Sequence, residues 1–262
     1  MSVLGRLHLI TDTRRDRNPL DVVRATLRAG VEFGSAPTVQ VRVEDTMTDR
    51  DAYDLALRVV DLCRGGAAGA GGAAEPRRGA EPGRSTGLTA PGQPLCLIND
   101  RLHIALAVSA DGCHVGADDL PVAAARRVLD NHPVRDNDAV RGDKAVLDSG
   151  AVFDGGAVLG ATAREPETAK QAVQAGASYL GVGPAYVSPT KHGLPDPIGP
   201  DGVAAVAAAV DVPVIAIGGV TVDRVAPLRA AGAYGVAVIG AINDAADPYA
   251  AASAFFSALG VR

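Results

Sequence analysis

Residues 98–120 read I-N-D-R-L-H-I-A-L-A-V-S-A-D-G-C-H-V-G-A-D-D-L, and two of their carboxylates are spaced for shared chemistry. One apolar run ends in Asn99-Asp100, a helical segment follows, and a second run ends in Gly116-Ala117-Asp118-Asp119. If the two runs are neighbouring parallel strands, Asp100 and Asp119 converge on one cation. Two carboxylates at such a mouth suit Mg²⁺, which takes one or two carboxylates and fills its shell with water and substrate phosphates. The competing reading is that each aspartate caps the helix after it.

Further residues could serve an anionic substrate. Gln40 and Arg42 alternate along a strand and so share a face. An inward arginine needs a partner, either an anionic ligand or an internal carboxylate. Ser188-Pro189-Thr190-Lys191 places two hydroxyls and an ammonium within four residues, enough to grip phosphate oxygens unless the loop is simply solvated. Ile217-Gly218-Gly219 and Val238-Ile239-Gly240 leave backbone N–H groups for a phosphate, or else form tight turns. His114 reads as a hydrogen-bonded core histidine, and no Ser/His/Asp or Cys/His pattern supports nucleophilic catalysis.

Eight apolar runs must position these groups: approximately 7–11, 38–42, 94–98, 111–115, 157–161, 178–182, 213–217 and 234–239. Helix-like segments alternate with them near 19–30, 47–64, 101–109, 121–131, 166–175, 200–210, 221–231 and 247–259. Ala-Gly pairs at 29–30, 175–176 and 231–232 mark expected left-handed helix ends. Eight βα units predict a single (β/α)8 TIM barrel spanning 1–262, an α/β fold. Such barrels carry their chemistry on the loops after the strands. The expected strand ends there hold Thr11-Asp12, Gln40/Arg42, Asn99-Asp100, Asp119, Thr162/Arg164, Tyr186 to Lys191, Gly218-Gly219 and Gly240.

Two stretches break the rhythm. Residues 65–93, rich in Gly, Ala, Pro and Arg, read as a disordered insertion, and 133–155 as a second loop insertion. Both fall before a strand, on the face away from the expected site. Hydrophobic residues make up 47% and aromatics only 3%, so the core rests on Ala, Val, Leu and Ile. A net charge of −5 argues against nucleic acid. Three cysteines without C-x-x-C spacing argue against a disulfide framework, and Cys96 and Cys113 fall in apolar runs. No run has the length to span a membrane and no signal peptide is evident, so a cytoplasmic location is expected. A homo-oligomer is left open.

The segments L-H-L-I-T-D, V-Q-V-R, L-I-N-D-R, A-D-G-C-H-V-G-A-D-D-L-P, Y-L-G-V-G-P-A-Y-V-S-P-T-K, V-P-V-I-A-I-G-G-V and G-V-A-V-I-G-A-I together resemble the family of thiamine-phosphate synthase and the TenI-type thiazole tautomerase. The resemblance implies Mg²⁺-dependent joining of hydroxymethylpyrimidine diphosphate to hydroxyethylthiazole phosphate, with release of pyrophosphate. It implies that Asp100 and Asp119 hold Mg²⁺ against the diphosphate, with Gln40, Arg42, Asn99 and Lys191 around it. Lys191 and Arg42 are the expected catalytic cations. Thr162, Ser188 and Thr190 would contact substrate, and Gly219, Ile239 and Gly240 would bind the thiazole phosphate through backbone.

Four positions depart from the family pattern. Glu44 stands where a lysine is usual, Ala117 replaces a glutamine, Thr162-Ala163-Arg164 replaces Ser-x-His, and Gly240 replaces a serine. An ammonium ~5 Å from a phosphate charge is worth roughly 3 kcal/mol at an effective dielectric near 20, so its replacement by a carboxylate is a large perturbation. Arg164 is the expected source of the missing charge. The alternatives to a synthase are a tautomerase and a non-catalytic phosphate-binding paralogue, the latter on the strength of Glu44. Retention of Asp100, Asp119 and Lys191 favours the synthase.

Overall fold

The computed structural model describes residues 4–14, 17–65, 93–132, 145–146, 152–153, 156–188 and 195–260. In chain order the strands are β1 (Leu7–Ile10), β2 (Thr38–Val41), β3 (Leu95–Asn99), β4 (Gly112–Val115), β5 (Ala145–Val146), β6 (Val152–Phe153), β7 (Val158–Ala163), β8 (Tyr179–Val182), β9 (Val214–Ile217) and β10 (Gly235–Val238). The helices are α1 (Pro19–Glu32), α2 (Asp49–Cys63), α3 (Leu102–Ala107), α4 (Val122–Asn131), α5 (Pro166–Gln174), α6 (Gly199–Ala207), α7 (Val222–Ala230), α8 (Gly240–Asn243) and α9 (Pro248–Ala258). Eight parallel strands close into one barrel in the order β1-β10-β9-β8-β7-β4-β3-β2. Each expected apolar run supplies one of them.

The strands read as nearly continuous apolar runs because both of their faces are buried. Leu7 and Leu9, Val39 and Val41, Cys96 and Ile98, Leu180 and Val182 pack outward with the helices. The alternate residues point inward, where Ile10, Leu95, Leu97, Val158, Tyr179, Ile215 and Ala237 form a separate cluster. His8, Gln40 and His114 fall on the same inward register and are buried. All three cysteines are free and buried.

The inward positions also include Gly112, Gly160, Gly181 and Gly235, and one of these is dictated by its neighbours. A Cβ on Gly160 would lie 2.3 Å from Tyr179 Cζ and 2.4 Å from His114 Nδ1. The missing side chain is the space into which the two rings fit. Tyr179 OH and His114 Nδ1 share a hydrogen bond of 3.0 Å, and the His8 ring meets Tyr179 edge-on at 5.3 Å between centroids. Burial pushes His8 down to about 3, helped by the nearby His114 and opposed by a backbone bond to Gly5. Burial likewise pushes His114 down to about 4. The interior therefore holds two neutral imidazoles.

Local signals set most helix ends. Asn18 caps α1 by accepting from Leu20 N at 3.1 Å, and Thr48 caps α2 by accepting from Asp51 N at 3.2 Å. Gly176 and Gly232 take positive φ after α5 and α7, as the Ala-Gly pairs predict. Gly30 does not, because α1 runs on to Glu32 and the left-handed glycine is Gly34. Gly30 is instead needed for close packing, since a Cβ there would lie 2.6 Å from Ser35 O. Within 133–155, β5 and β6 pair antiparallel, so that stretch is not wholly loop. Residues 66–92, most of the first expected insertion, lie outside the described residues. No helix among the described residues is long and apolar enough to cross a membrane.

Two measurements test this interior. Gly160→Ala should lower unfolding free energy by roughly 1–3 kcal/mol through overpacking; an unchanged denaturation midpoint would refute the close contact. His8 and His114 have depressed folded values against 6.5 when unfolded, so their contribution is complete above about pH 6.5. It should fall with acidification at up to about 1.4 kcal/mol per pH unit for each imidazole, because the unfolded chain then binds more protons. Denaturant unfolding at pH 7 and pH 5 reads this directly, and equal stabilities would show that the imidazoles are not held neutral.

Candidate active site

The carboxyl ends of the strands gather the chemistry. Thr11 and Thr13, just past β1, fasten the segment just past β2. Thr11 Oγ1 donates to Arg42 O at 2.8 Å and accepts from Arg42 N at 2.9 Å, and Thr13 Oγ1 accepts from Glu44 N at 3.2 Å. The backbone at residues 42 and 44 is therefore pinned beyond the end of the strand. Arg101 holds the same loop from the other side, donating to Glu44 O at 3.1 Å, Met47 O at 2.9 Å and Asp49 Oδ1 at 3.0 Å.

A line of amides runs from β2 to the expected metal ligands. Gln40 Nε2 donates to Asn99 Oδ1, and Asn99 Nδ2 donates to Asp100 Oδ2. Asp100 has φ 62°, the left-handed region, while its N–H donates to His114 O at 2.8 Å. That backbone costs a non-glycine residue about 1–2 kcal/mol.

Asp119 meets Asp100 across Gly116. Asp119 Oδ2 accepts from Gly116 N at 2.8 Å. A Cβ on Gly116 would lie 2.8 Å from Asp119 Oδ2 and 4.0 Å from Asp100 Oδ1. Two oxygens from the loops after β3 and β4 thus flank a space that a side chain would fill. Cys113, on β4, reports both charges: burial pushes its thiol up to about 12, and Asp100 and Asp119 add to the effect. The donors here are oxygens, a set suited to a hard cation.

Thr162 lies within β7, one strand further round, and its Oγ1 shares a 3.1 Å hydrogen bond with His114 Nε2. His114 is the hydrogen-bonded core histidine that the sequence suggests, and it also joins Tyr179 to the mouth. Ser188 follows β8 and is half-buried, whereas Thr190 and Lys191 lie outside the described residues. Gly219 follows β9 at φ 61°, and a Cβ there would lie 2.3 Å from Val187 O. Arg224 donates to Gly219 O at 2.5 Å and covers the Tyr186 ring at 4.4 Å, fixing that turn. Ile239 and Gly240 open α8, whose Asn243 donates to Ile10 O at 2.9 Å and Ile239 O at 2.8 Å.

Arg164 is not the partner of Glu44. It closes β7, three strands round from β2, and donates to Asp196 O at 2.7 Å. Glu44 Oε1 instead lies 3.3 Å from Arg14 Nε and 4.0 Å from Arg42 Nη2. Arg14, Arg101, Asn243 and Tyr179 escape a reading of strand ends. Only the adjacency of Arg101 to Asn99-Asp100 gave a signal for any of them.

Comparison with known proteins identifies the family. The family model described as thiamine monophosphate synthase matches residues 84–134 and 141–242. The thiamine-phosphate synthase of Salinispora arenicola is 53% identical over 260 residues, covering 99% of each chain. That of Salinispora tropica is 51% identical over 260 residues, again covering 99% of each. The solved thiamine phosphate pyrophosphorylase of Pyrococcus furiosus superposes with a TM-score of 0.69 over 97% of this chain and 95% of that one; at 24% identity it speaks for the fold alone. With a family model matched over more than half its length and full-length relatives above one-half identity, the chain belongs to the thiamine-phosphate synthase family.

Proposed function

We propose that the protein is a transferase that joins hydroxymethylpyrimidine diphosphate to hydroxyethylthiazole phosphate, giving thiamine phosphate and pyrophosphate. The observation that carries this reading is the approach of Asp100 Oδ1 and Asp119 Oδ2 to one space beside Gly116, in line with Gln40 and Asn99. Its closest support outside the geometry is the full-length similarity to proteins named thiamine-phosphate synthase.

Asp100 and Asp119 would hold Mg²⁺. They fit it, since each presents a carboxylate oxygen to the space beside Gly116 from the loop after its strand. When bound, the ion would neutralise charge on the diphosphate oxygens.

The residues divide the remaining work. In the reaction the bond between the pyrimidine methylene carbon and the diphosphate oxygen breaks, that oxygen keeps the electron pair, and the thiazole nitrogen bonds to the carbon. Charge develops on the departing diphosphate, so fixed cations and N–H donors matter more than a general base. Arg42 and the Gln40 and Asn99 amides would face that group, and Lys191 would add an ammonium from the loop after β8. Thr162 presents a hydroxyl whose position His114 fixes from below. Backbone N–H groups at Gly219, Ile239 and Gly240 would take the thiazole phosphate, helped by the opening turn of α8.

Incubation with both substrates and Mg²⁺ should yield thiamine phosphate, and chelation should stop it. Asp100→Ala and Asp119→Ala should each lower kcat/KM by at least about a hundredfold, the scale of losing a charge-stabilising group. Full activity in both variants would remove the carboxylates from the mechanism. Thiazole rearrangement in place of joining would instead identify a tautomerase, and ligand binding without turnover a non-catalytic relative.

A further inference from the structure

The one departure that threatens the proposed reaction is Glu44, a carboxylate beside the arginine expected to face diphosphate. Its surroundings answer the threat. Asp12, at the end of β1, has a fully buried side chain. A buried carboxylate requires a partner, and Arg14 supplies one in a two-point grip: Nε donates to Asp12 Oδ1 at 2.9 Å and Nη2 to Asp12 Oδ2 at 2.8 Å. This grip fixes the guanidinium with Nε 3.3 Å from Glu44 Oε1. Arg42 Nη2 approaches the same oxygen less closely, at 4.0 Å. These are the ion pairs of Glu44 among the described residues. Thr11 and Thr13 hold residues 42 and 44 against β1, so the register of all four charges is set by one pair of strand ends.

We propose that Arg14 is a positioning residue that, while paired with Asp12, also offsets part of the Glu44 charge and so leaves Arg42 freer for the diphosphate. The proposal rests on the reading above, because it assigns Arg42 to that substrate. Arg14 acts through Glu44 and Arg42 rather than by gripping phosphate: the guanidinium edge carrying Nε and Nη2 is committed to Asp12. The Asp12 hydrogen bonds, with Asp12, Glu44 and Asp244 as negative neighbours, hold Arg14 firmly charged. Without Arg14, Glu44 would draw on Arg42 and repel the incoming anion. The usual lysine is thus not replaced by another cation on the substrate; its carboxylate substitute is offset in part by a guanidinium that also serves Asp12.

A four-protein cycle tests this: unaltered protein, Arg14→Gln, Glu44→Gln, and the double variant. Calorimetry gives Kd for pyrophosphate with Mg²⁺, and steady-state kinetics give KM for each substrate and kcat. Arg14→Gln should weaken pyrophosphate and raise KM for the pyrimidine diphosphate by about 10- to 30-fold, the effect of removing one positive charge several ångströms away. KM for thiazole phosphate should stay within about threefold, since that substrate lies outside these charges, while kcat should fall with the diphosphate affinity. Adding Glu44→Gln should restore the diphosphate values, and Glu44→Gln alone should bind pyrophosphate at least as tightly as the unaltered protein. Arg14→Lys, which keeps the charge, should stay close to the unaltered protein.

A double variant as weak as Arg14→Gln would overturn the proposal, because loss of structure or of a direct contact is not rescued by removing a carboxylate. If Arg14→Gln does not fold, weakened binding in Glu44→Gln alone would overturn it equally. Should the unaltered protein make no thiamine phosphate, the proposed function fails, while the pyrophosphate affinities still decide the role of Arg14.

Discussion

Closing eight parallel strands into a ring sends every second side chain into a shared interior, and that interior has room for only a few large groups. Here Tyr179 and His114 take the space left by the bare Cα of Gly160. From that contact upward the order of the site follows. His114 meets Thr162 at the mouth, its carbonyl accepts from the Asp100 N–H, and Asp100 reaches toward Asp119 beside Gly116. The packed floor and the polar rim are consecutive layers of one stack. Change in the floor is transmitted because dense interiors do not yield gradually.

A second constraint acts sideways. Beyond the last paired residues of β1 and β2 the backbone ladder stops, yet two threonines carry the register onward to residues 42 and 44. Side chains thereby complete what the sheet leaves unfinished. The charges of Asp12, Arg14, Arg42 and Glu44 sit at defined separations because their backbones are tied, not because the pairs themselves are strong. Partly exposed ion pairs contribute little stability alone. Their value here lies in setting the local field.

The barrel was legible because burial on both faces writes each strand as a compact apolar run, and because amphipathic segments alternate with the runs. The strand-end residues were legible for the same reason, since the end of a run is visible in sequence. What escaped shares a different character. The four residues of α8 are too few to show a period, and the two-residue strands β5 and β6 are too short to alternate. Arg14 stands in Thr13-Arg14-Arg15-Asp16-Arg17, which reads as an ordinary solvated charge run. Its meaning depends on Glu44, thirty residues on and adjacent only once the strands pair. Arg164 lies on the same rim but three strands round from β2, so its distance from Glu44 also appears only once the ring is closed.

The ring is stitched shut by segments from opposite ends of the sequence. Leu7 pairs with Val236 and Leu9 with Val238, Asn243 ties α8 to Ile10, and α1 packs on α9. During synthesis the early strands therefore wait, with an open edge, for the late ones to emerge from the ribosome. Barrel closure and completion of the rim beyond β9 and β10 become the same late event, because β10 is the strand that pairs with β1.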